Sequence, residues 1–205
     1  EAVRLYLLQN HYRSPLPWSG EALDEALAML ARLYEAIELA ESFNGQERAE
    51  DVAKSLGEDA QTVLDLGTSF QEKMLHFLDE DFNTSGVLGL AFELARAINR
   101  FAAHKKAKKR GGPLVVAALE GLRSMNGAIG LLGADAASFQ DEVKQKCLRR
   151  LGLDATQVEA QLAARQEARA NKDWATSDQI RDALDAQGIL IMDTADGVEW
   201  RVKLG

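Results

Sequence analysis

The sequence predicts a mainly α protein: an antiparallel helix bundle followed by a small α+β tail of two helices and a two-stranded hairpin. Three observations carry that expectation. Apolar residues recur at three- and four-residue steps in successive long segments, the period of a helix with one buried stripe. Cap residues, glycines and prolines punctuate these segments at short intervals, so neighbouring helices fold back along one another. Only the last stretch, ILIMD and VEWRV around TADG, alternates with the period of a strand.

In chain order, residues 1–10 carry Val3, Leu5, Leu7 and Leu8 and read as a short helix. HYRSPLPWSG breaks the chain, because Pro15 and Pro17 disfavour helix at the residues before them. Ser19 suits an N-cap, with Trp18 and Leu23 spaced as a hydrophobic staple. A long helix follows on Leu23, Ala26, Leu27, Leu30, Leu33, Tyr34 and Ile37. SFNGQERAEDVAKSLGEDAQ is polar and acidic and reads as a loop or weak helix. The next stripe is Val63, Leu64, Phe70, Met74, Phe77 and Leu78, ending at DEDFNTSG, where Asn83, Thr84 or Ser85 can cap a helix on Val87, Leu88, Ala91, Leu94, Ala95, Ile98 and Phe101. Gly111 and Gly112 interrupt, and Pro113 fits the first turn of a helix on Val115, Leu119, Leu122, Met125 and Ile129. Residues 131–153 lack a clear period and read as a linker with room for a short helix. A helix over 155–170, a second capped by Asp173 and ended by Gly188, and a turn at Asp196-Gly197 complete the tail. The expected division is a bundle over 1–130, a linker over 131–153 and a terminal domain over 154–205.

Composition excludes several classes. At 46% hydrophobic and 27% charged, the 205 residues suit a globular protein with a buried core. No run of 18 apolar residues occurs, so no spanning helix is expected. EAVRLYLLQNHYR has no basic leader before an apolar block, so no signal peptide is expected, and the missing initial Met suits a trimmed piece. Cys147 is the one cysteine, so no internal disulfide can form, which fits a cytoplasmic location. It has no evident base beside it, and His11, His76 and His104 are scattered; neither a catalytic group nor a metal ligand is assigned.

The net charge of −8 argues against a generic nucleic-acid binder, but the charge is uneven. Residues 1–90 balance to −11, whereas residues 91–110 balance to +6 through Arg96, Arg100, Lys105, Lys106, Lys108, Lys109 and Arg110. Two readings stand for that run: cations complementing a helix end, or a surface that meets phosphates.

Three segments in consistent order resemble the cysteinyl-tRNA synthetase family over essentially the whole chain. EAVRLYLLQNHYRSPLPWS offers a DALR-like start, Glu1-Ala2-Val3-Arg4, and a HYR-P element at His11-Tyr12-Arg13 and Pro15. DEDFNTSGVLGLAFELARAINR matches a D-F-N-T element before a helix, and the most specific match is ARANKDWATSDQIRDALDAQGILIMDTADGVEWR at 168–201. Val3 replaces the usual leucine, and Met192 stands where the family often has an acidic residue before Asp193. The HIGH and KMSKS adenylation signatures do not occur in the chain. The resemblance therefore implies the tRNA-binding part of a ligase whose ATP and zinc belong to a catalytic domain outside this sequence, and this part alone is expected to be inactive.

The resemblance implies that the family reads a GCA anticodon with its terminal module, and it carries base contacts onto Arg169, Trp174, Asp178 and Asp193. Their chemistry suits the task. Single-stranded bases are held by stacking on aromatic planes and by hydrogen bonds to their edges. Trp174 offers the plane, Arg169 a bidentate donor, and the carboxylates accept from base amino and imino groups. Acidic readers repel phosphate, so affinity is expected from elsewhere, with Lys105, Lys106, Lys108, Lys109 and Arg110 the candidate backbone contacts. The expected partners are tRNA-Cys and the ligase's own catalytic domain, with no membrane and no DNA.

Blander readings accompany each residue. Trp174 and Trp200 can be core, Asp178, Arg181 and Asp182 ordinary surface charge, and Asp193 a turn cap. Arg4, Tyr12 and Arg13 either pack the bundle or help hold the inner stem of the tRNA. Two rival functions remain: a helical protein-interaction module derived from the same fold, and a cysteine ligase with an amino-sugar acceptor, which would have no use for the 155–205 tail.

Overall fold

The computed structural model describes residues 1–194 and 197–204, apart from the side chains of Asp193 and Thr194. It divides into two compact units, residues 1–139 and 140–205.

The first unit is the helix bundle, formed by α1 (Ala2–Leu8), α2 (Gly20–Glu41), α3 (Ala49–Leu56), α4 (Glu58–Asp79), α5 (Thr84–Ala102), α6 (Ala107–Arg110) and α7 (Gly112–Ile129). The helices start where local chemistry satisfies their free N–H groups. The Ser19 hydroxyl accepts from the Ala22 N–H at 3.1 Å, and the Asn83 side chain accepts from the Gly86 N–H at 2.9 Å. Trp18 meets Tyr6 edge to face at 5.5 Å and remains 65% exposed. All seven apolar residues expected on α5 are buried, and on α2 Ala26, Leu30, Leu33, Tyr34 and Ile37 are. The acidic stretch before α4 contains α3, held by only two buried residues, Val52 and Ala53. Gly57 separates α3 from α4 at φ 94°, a left-handed turn open to glycine without a Cβ clash.

The core lies among α2, α4, α5 and α7 and includes the fully buried Tyr34, Phe70, Phe101, Leu94, Leu122 and Met125. α4 and α7 approach closely. A Cβ on Gly67 would lie 2.7 Å from the Ala118 nitrogen, and one on Gly121 would lie 2.8 Å from Phe70 Cβ. The DALR-like start closes the bundle. The Glu1 carboxylate accepts from the Tyr34 hydroxyl at 2.9 Å and from the N–H groups of Leu132 and Gly133 at 3.2 and 3.1 Å. Arg4 donates to the Gly130 carbonyl. Burial pushes the Tyr34 phenol well above its ordinary ionisation range, and the bond to Glu1 adds to this.

α8 (Ala136–Leu151) occupies much of the stretch read from sequence as a linker. The second unit continues with α9 (Ala155–Ala170), α10 (Trp174–Ala186), β1 (Ile189–Thr194) and β2 (Gly197–Val202). The strands pair antiparallel, from Ile189 opposite Val202 to Thr194 opposite Gly197. The turn expected at Asp196-Gly197 lies partly outside the described residues, at Ala195 and Asp196. α9 packs on α10, and α10 on β1. Buried residues here include Val143, Cys147 and Leu148 on α8, Val158 and Leu162 on α9, Leu184 on α10, and Ile189 and Val202 on the hairpin. Trp200 is half-buried, with Lys144 Nζ 3.6 Å from its ring centroid.

Candidate nucleic-acid interface

The corner between α9 and α10 is built by complementary helix ends. The N–H groups of Lys172 and Asp173 donate to the carbonyls of Arg169 and Ala168, at 3.1 and 2.9 Å. This paired closure is a Schellman C-cap, and it requires a left-handed residue at Lys172, whose φ is 59°. A non-glycine residue there carries roughly 1–2 kcal/mol of conformational strain.

Asp173 then caps α10. Its carboxylate accepts from the Thr176 hydroxyl at 2.7 Å and from the Thr176 N–H at 3.1 Å. Those bonds hold its carboxyl below the usual carboxylate range, the hydroxyl contributing most. A depressed folded-state pKa stabilises the fold above the ordinary carboxylate value, and that contribution is lost as pH falls through the depressed value. Asp173→Ala is therefore expected to lower the melting temperature of the tail at neutral pH. In melts followed by circular dichroism, its deficit against the parent should close as pH falls below about 4.

Three of the four predicted base readers share this corner. Arg169 lies exposed in the last turn of α9. Trp174 is the first residue of α10 and is 59% exposed, so it is not core. Asp178 follows one turn later, on the same face of the helix. Its carboxylate is exposed and lies 3.2 Å from Arg181 Nη1, while the Arg181 Nη2 also reaches Asp182 at 3.1 Å. Arg181 is thus more than scattered surface charge, and its spacing of three from Asp178 is the signal of that pairing in the sequence. Asp193 sits in β1 opposite Val198, and its side chain lies outside the described residues.

The basic run lies in the first unit. Lys105, Lys106, Lys108 and Lys109 are exposed on and before α6. Arg110 is partly buried and forms a bidentate pair with Glu47, at 2.6 and 2.5 Å, which holds the Glu47 carboxyl below its ordinary range. The Asn44 N–H donates to the Lys108 carbonyl, and the Gly112 N–H to the Asn44 carbonyl, each at 2.8 Å. The loop over 42–48 thus fastens onto α6 and fixes the segment that carries the lysines.

A second cluster joins two elements that the sequence presents 70 residues apart. The Tyr12 hydroxyl donates to Asp81 at 2.8 Å, Arg13 Nη2 approaches the same oxygen at 3.4 Å, and His11 Nε2 lies 3.5 Å from the other. The HYR element is therefore latched to the D-F-N-T element. Asp81 and Phe82 both adopt left-handed backbone, at φ 54° each, which leaves Phe82 67% exposed. Leu7, Leu8, Asn10, Tyr12, Phe82 and Thr84 line a cavity of about 460 Å³ beside it.

No helix among the described residues is long and apolar enough to cross a membrane. Comparison with known proteins covers both units. The family model described as cysteinyl-tRNA ligase anticodon binding domain matches residues 152–201, which include the α9–α10 corner and Asp193. The model described as DALR domain matches residues 69–133, which include Asp81 and the basic run. The chain is 40% identical over 203 residues to the cysteine–tRNA ligase of Methylococcus capsulatus, covering 98% of this chain and 38% of that protein. It is 33% identical over 208 residues to that of Geobacter metallireducens, covering 99% and 41%, and 37% identical over 205 residues to that of Nitratidesulfovibrio vulgaris, covering 98% and 41%. The chain thus spans about two fifths of the length of these relatives.

Proposed function

The chain belongs to the cysteine–tRNA ligase family, as its DALR and anticodon-binding portion, and on that premise we propose that it docks tRNA-Cys and reads the GCA anticodon at the corner of α9 and α10. The observation that carries this reading is Trp174. A large aromatic left 59% exposed on the first turn of a helix is a stacking platform. A donor, Arg169, precedes it and an acceptor, Asp178, follows it.

The chemistry follows from these groups. A base stacked on the indole presents its edge to the side chains around it. The Asp178 carboxylate accepts from the imino and amino groups of guanine or the amino group of cytosine, and Asp193 is proposed to act in the same way. Arg169 donates to a base carbonyl or a phosphate. The lysines at 105, 106, 108 and 109 supply sequence-independent attraction to the backbone. Cysteine activation, with its ATP and zinc, is assigned on this reading to the part of the ligase outside the match, and the cytoplasm is the expected compartment.

Asp178→Asn tests the reader directly, because the amide keeps an acceptor but adds a donor. Binding of a GCA stem-loop is expected to lose about 1–3 kcal/mol of discrimination against one altered base. An equal change on every loop would remove Asp178 from the reading set.

The cavity beside Phe82 favours a second reading, in which the bundle is a helical interaction module that binds a polypeptide in place of tRNA. Its lining is mainly apolar, and Leu7, Tyr12 and Phe82 are exposed around it. Capture from lysate separates the readings: RNA co-purifies under the first and a protein under the second.

A further inference from the structure

We propose that Lys172 is a further RNA contact of the tail, a phosphate-binding cation held beside Trp174 by the strained turn between α9 and α10. The assignment rests on the anticodon reading above and adds to it a residue outside the four base readers that the resemblance implies.

The position comes first. Lys172 occupies the left-handed step of the C-cap, three residues after Arg169 and two before Trp174. Glycine would take this backbone conformation without a Cβ clash, and the turn's two hydrogen bonds use only main-chain atoms. The lysine side chain therefore contributes nothing to the closure that a glycine would lack, yet it carries the strain of a β-carbon at φ 59°. Strain retained at a ligand-facing corner is the pattern expected when the side chain has a task of its own.

The charge around it defines that task. Carboxylates flank the corner: Glu167 precedes it, and Asp173 and Asp178 follow at the cap and in the first turns of α10, with Arg169 between them on α9. The arginine of α10, Arg181, is committed to Asp178 and Asp182. The Lys172 side chain is exposed and forms no ion pair among the described residues. An RNA strand that stacks a base on Trp174 must bring its phosphates past these carboxylates. A positive charge two residues from the indole meets that need, and either a lysine or an arginine supplies it.

The test is Lys172→Gly, with Lys172→Arg as the conservative variant, each titrated with a GCA-bearing anticodon stem-loop over a range of salt concentrations. The glycine variant is expected to bind about five- to tenfold more weakly at low salt, with a log–log salt slope shallower by about 0.7, one phosphate contact on a single strand. Its melting temperature should equal or exceed the parent's, since the backbone strain is relieved. The arginine variant should keep both affinity and slope. An unchanged slope in the glycine variant overturns the assignment while leaving the anticodon reading intact. So does a loss of affinity accompanied by a lower melting temperature, which would mark Lys172 as structural, or a loss shared by the arginine variant. If the unaltered protein fails to bind the loop at all, the anticodon reading falls and this assignment falls with it.

Discussion

Trp174→Ala weakens binding of a GCA anticodon stem-loop by about 1–3 kcal/mol, roughly 5- to 150-fold, and removes the preference for that loop over altered ones. The magnitude follows from replacing the stacking plane by a methyl group while the charged groups around it stay in place. The fold should tolerate the change. At 59% exposure the indole contributes little to the core, and the cap of α10 is made by Asp173 and Thr176 rather than by Trp174. A melting temperature close to the parent's therefore accompanies the loss of binding. A large drop in stability with binding retained would make Trp174 a packing residue and return the site to the blander reading.

Phe70→Ala has the largest expected effect on stability. The ring is fully buried on α4 at its crossing with α7, where Gly121 leaves room for it. Truncating a buried phenylalanine removes its transfer free energy and leaves a cavity, together about 3–5 kcal/mol. The close approach of α4 and α7 at Gly67 and Ala118 limits how far the helices can collapse into the space. Denaturant unfolding of the bundle should show a loss of that size. A loss below about 1 kcal/mol would mean that the crossing relaxes freely.

What the sequence made legible follows from which interactions are local. The stripe of α5, from Val87 to Phe101, is a one-dimensional pattern, and each of its seven positions is buried. The caps at Ser19 and Asp173 involve partners within three residues and are equally readable, whereas at α5 the sequence leaves Asn83, Thr84 and Ser85 open and the cap is Asn83. α8 was harder. Val143, Cys147 and Leu148 are its buried positions within the second unit, set among charged residues that hide the period. α3 buries only Val52 and Ala53, too little apolar surface to stand out in a polar stretch.

At the site, the placement of Trp174 and Asp178 one turn apart followed from their spacing. The environment of each did not. That Lys172 is left-handed depends on the two-bond closure of α9, and nothing in a lysine announces it. The HYR and D-F-N-T elements were recognised separately, but their meeting at Asp81 is a contact between residues about 70 apart, which no local pattern encodes. Arg110 was grouped with its basic neighbours by composition, whereas its pairing with Glu47 arises from the loop over 42–48 folding onto α6. Asp193 closes the ILIMD strand pattern, and its backbone lies in β1 opposite Val198.

The most direct test of the central claim is a titration of the 205-residue protein with a labelled anticodon stem-loop bearing GCA, alongside loops with each anticodon base changed in turn, at one fixed low salt concentration. The account predicts that GCA binds more tightly than every changed loop, by about 1–3 kcal/mol for a base read through a paired edge contact. Equal affinity for all loops, or no binding to any, would contradict it and leave the α9–α10 corner without the role assigned to it.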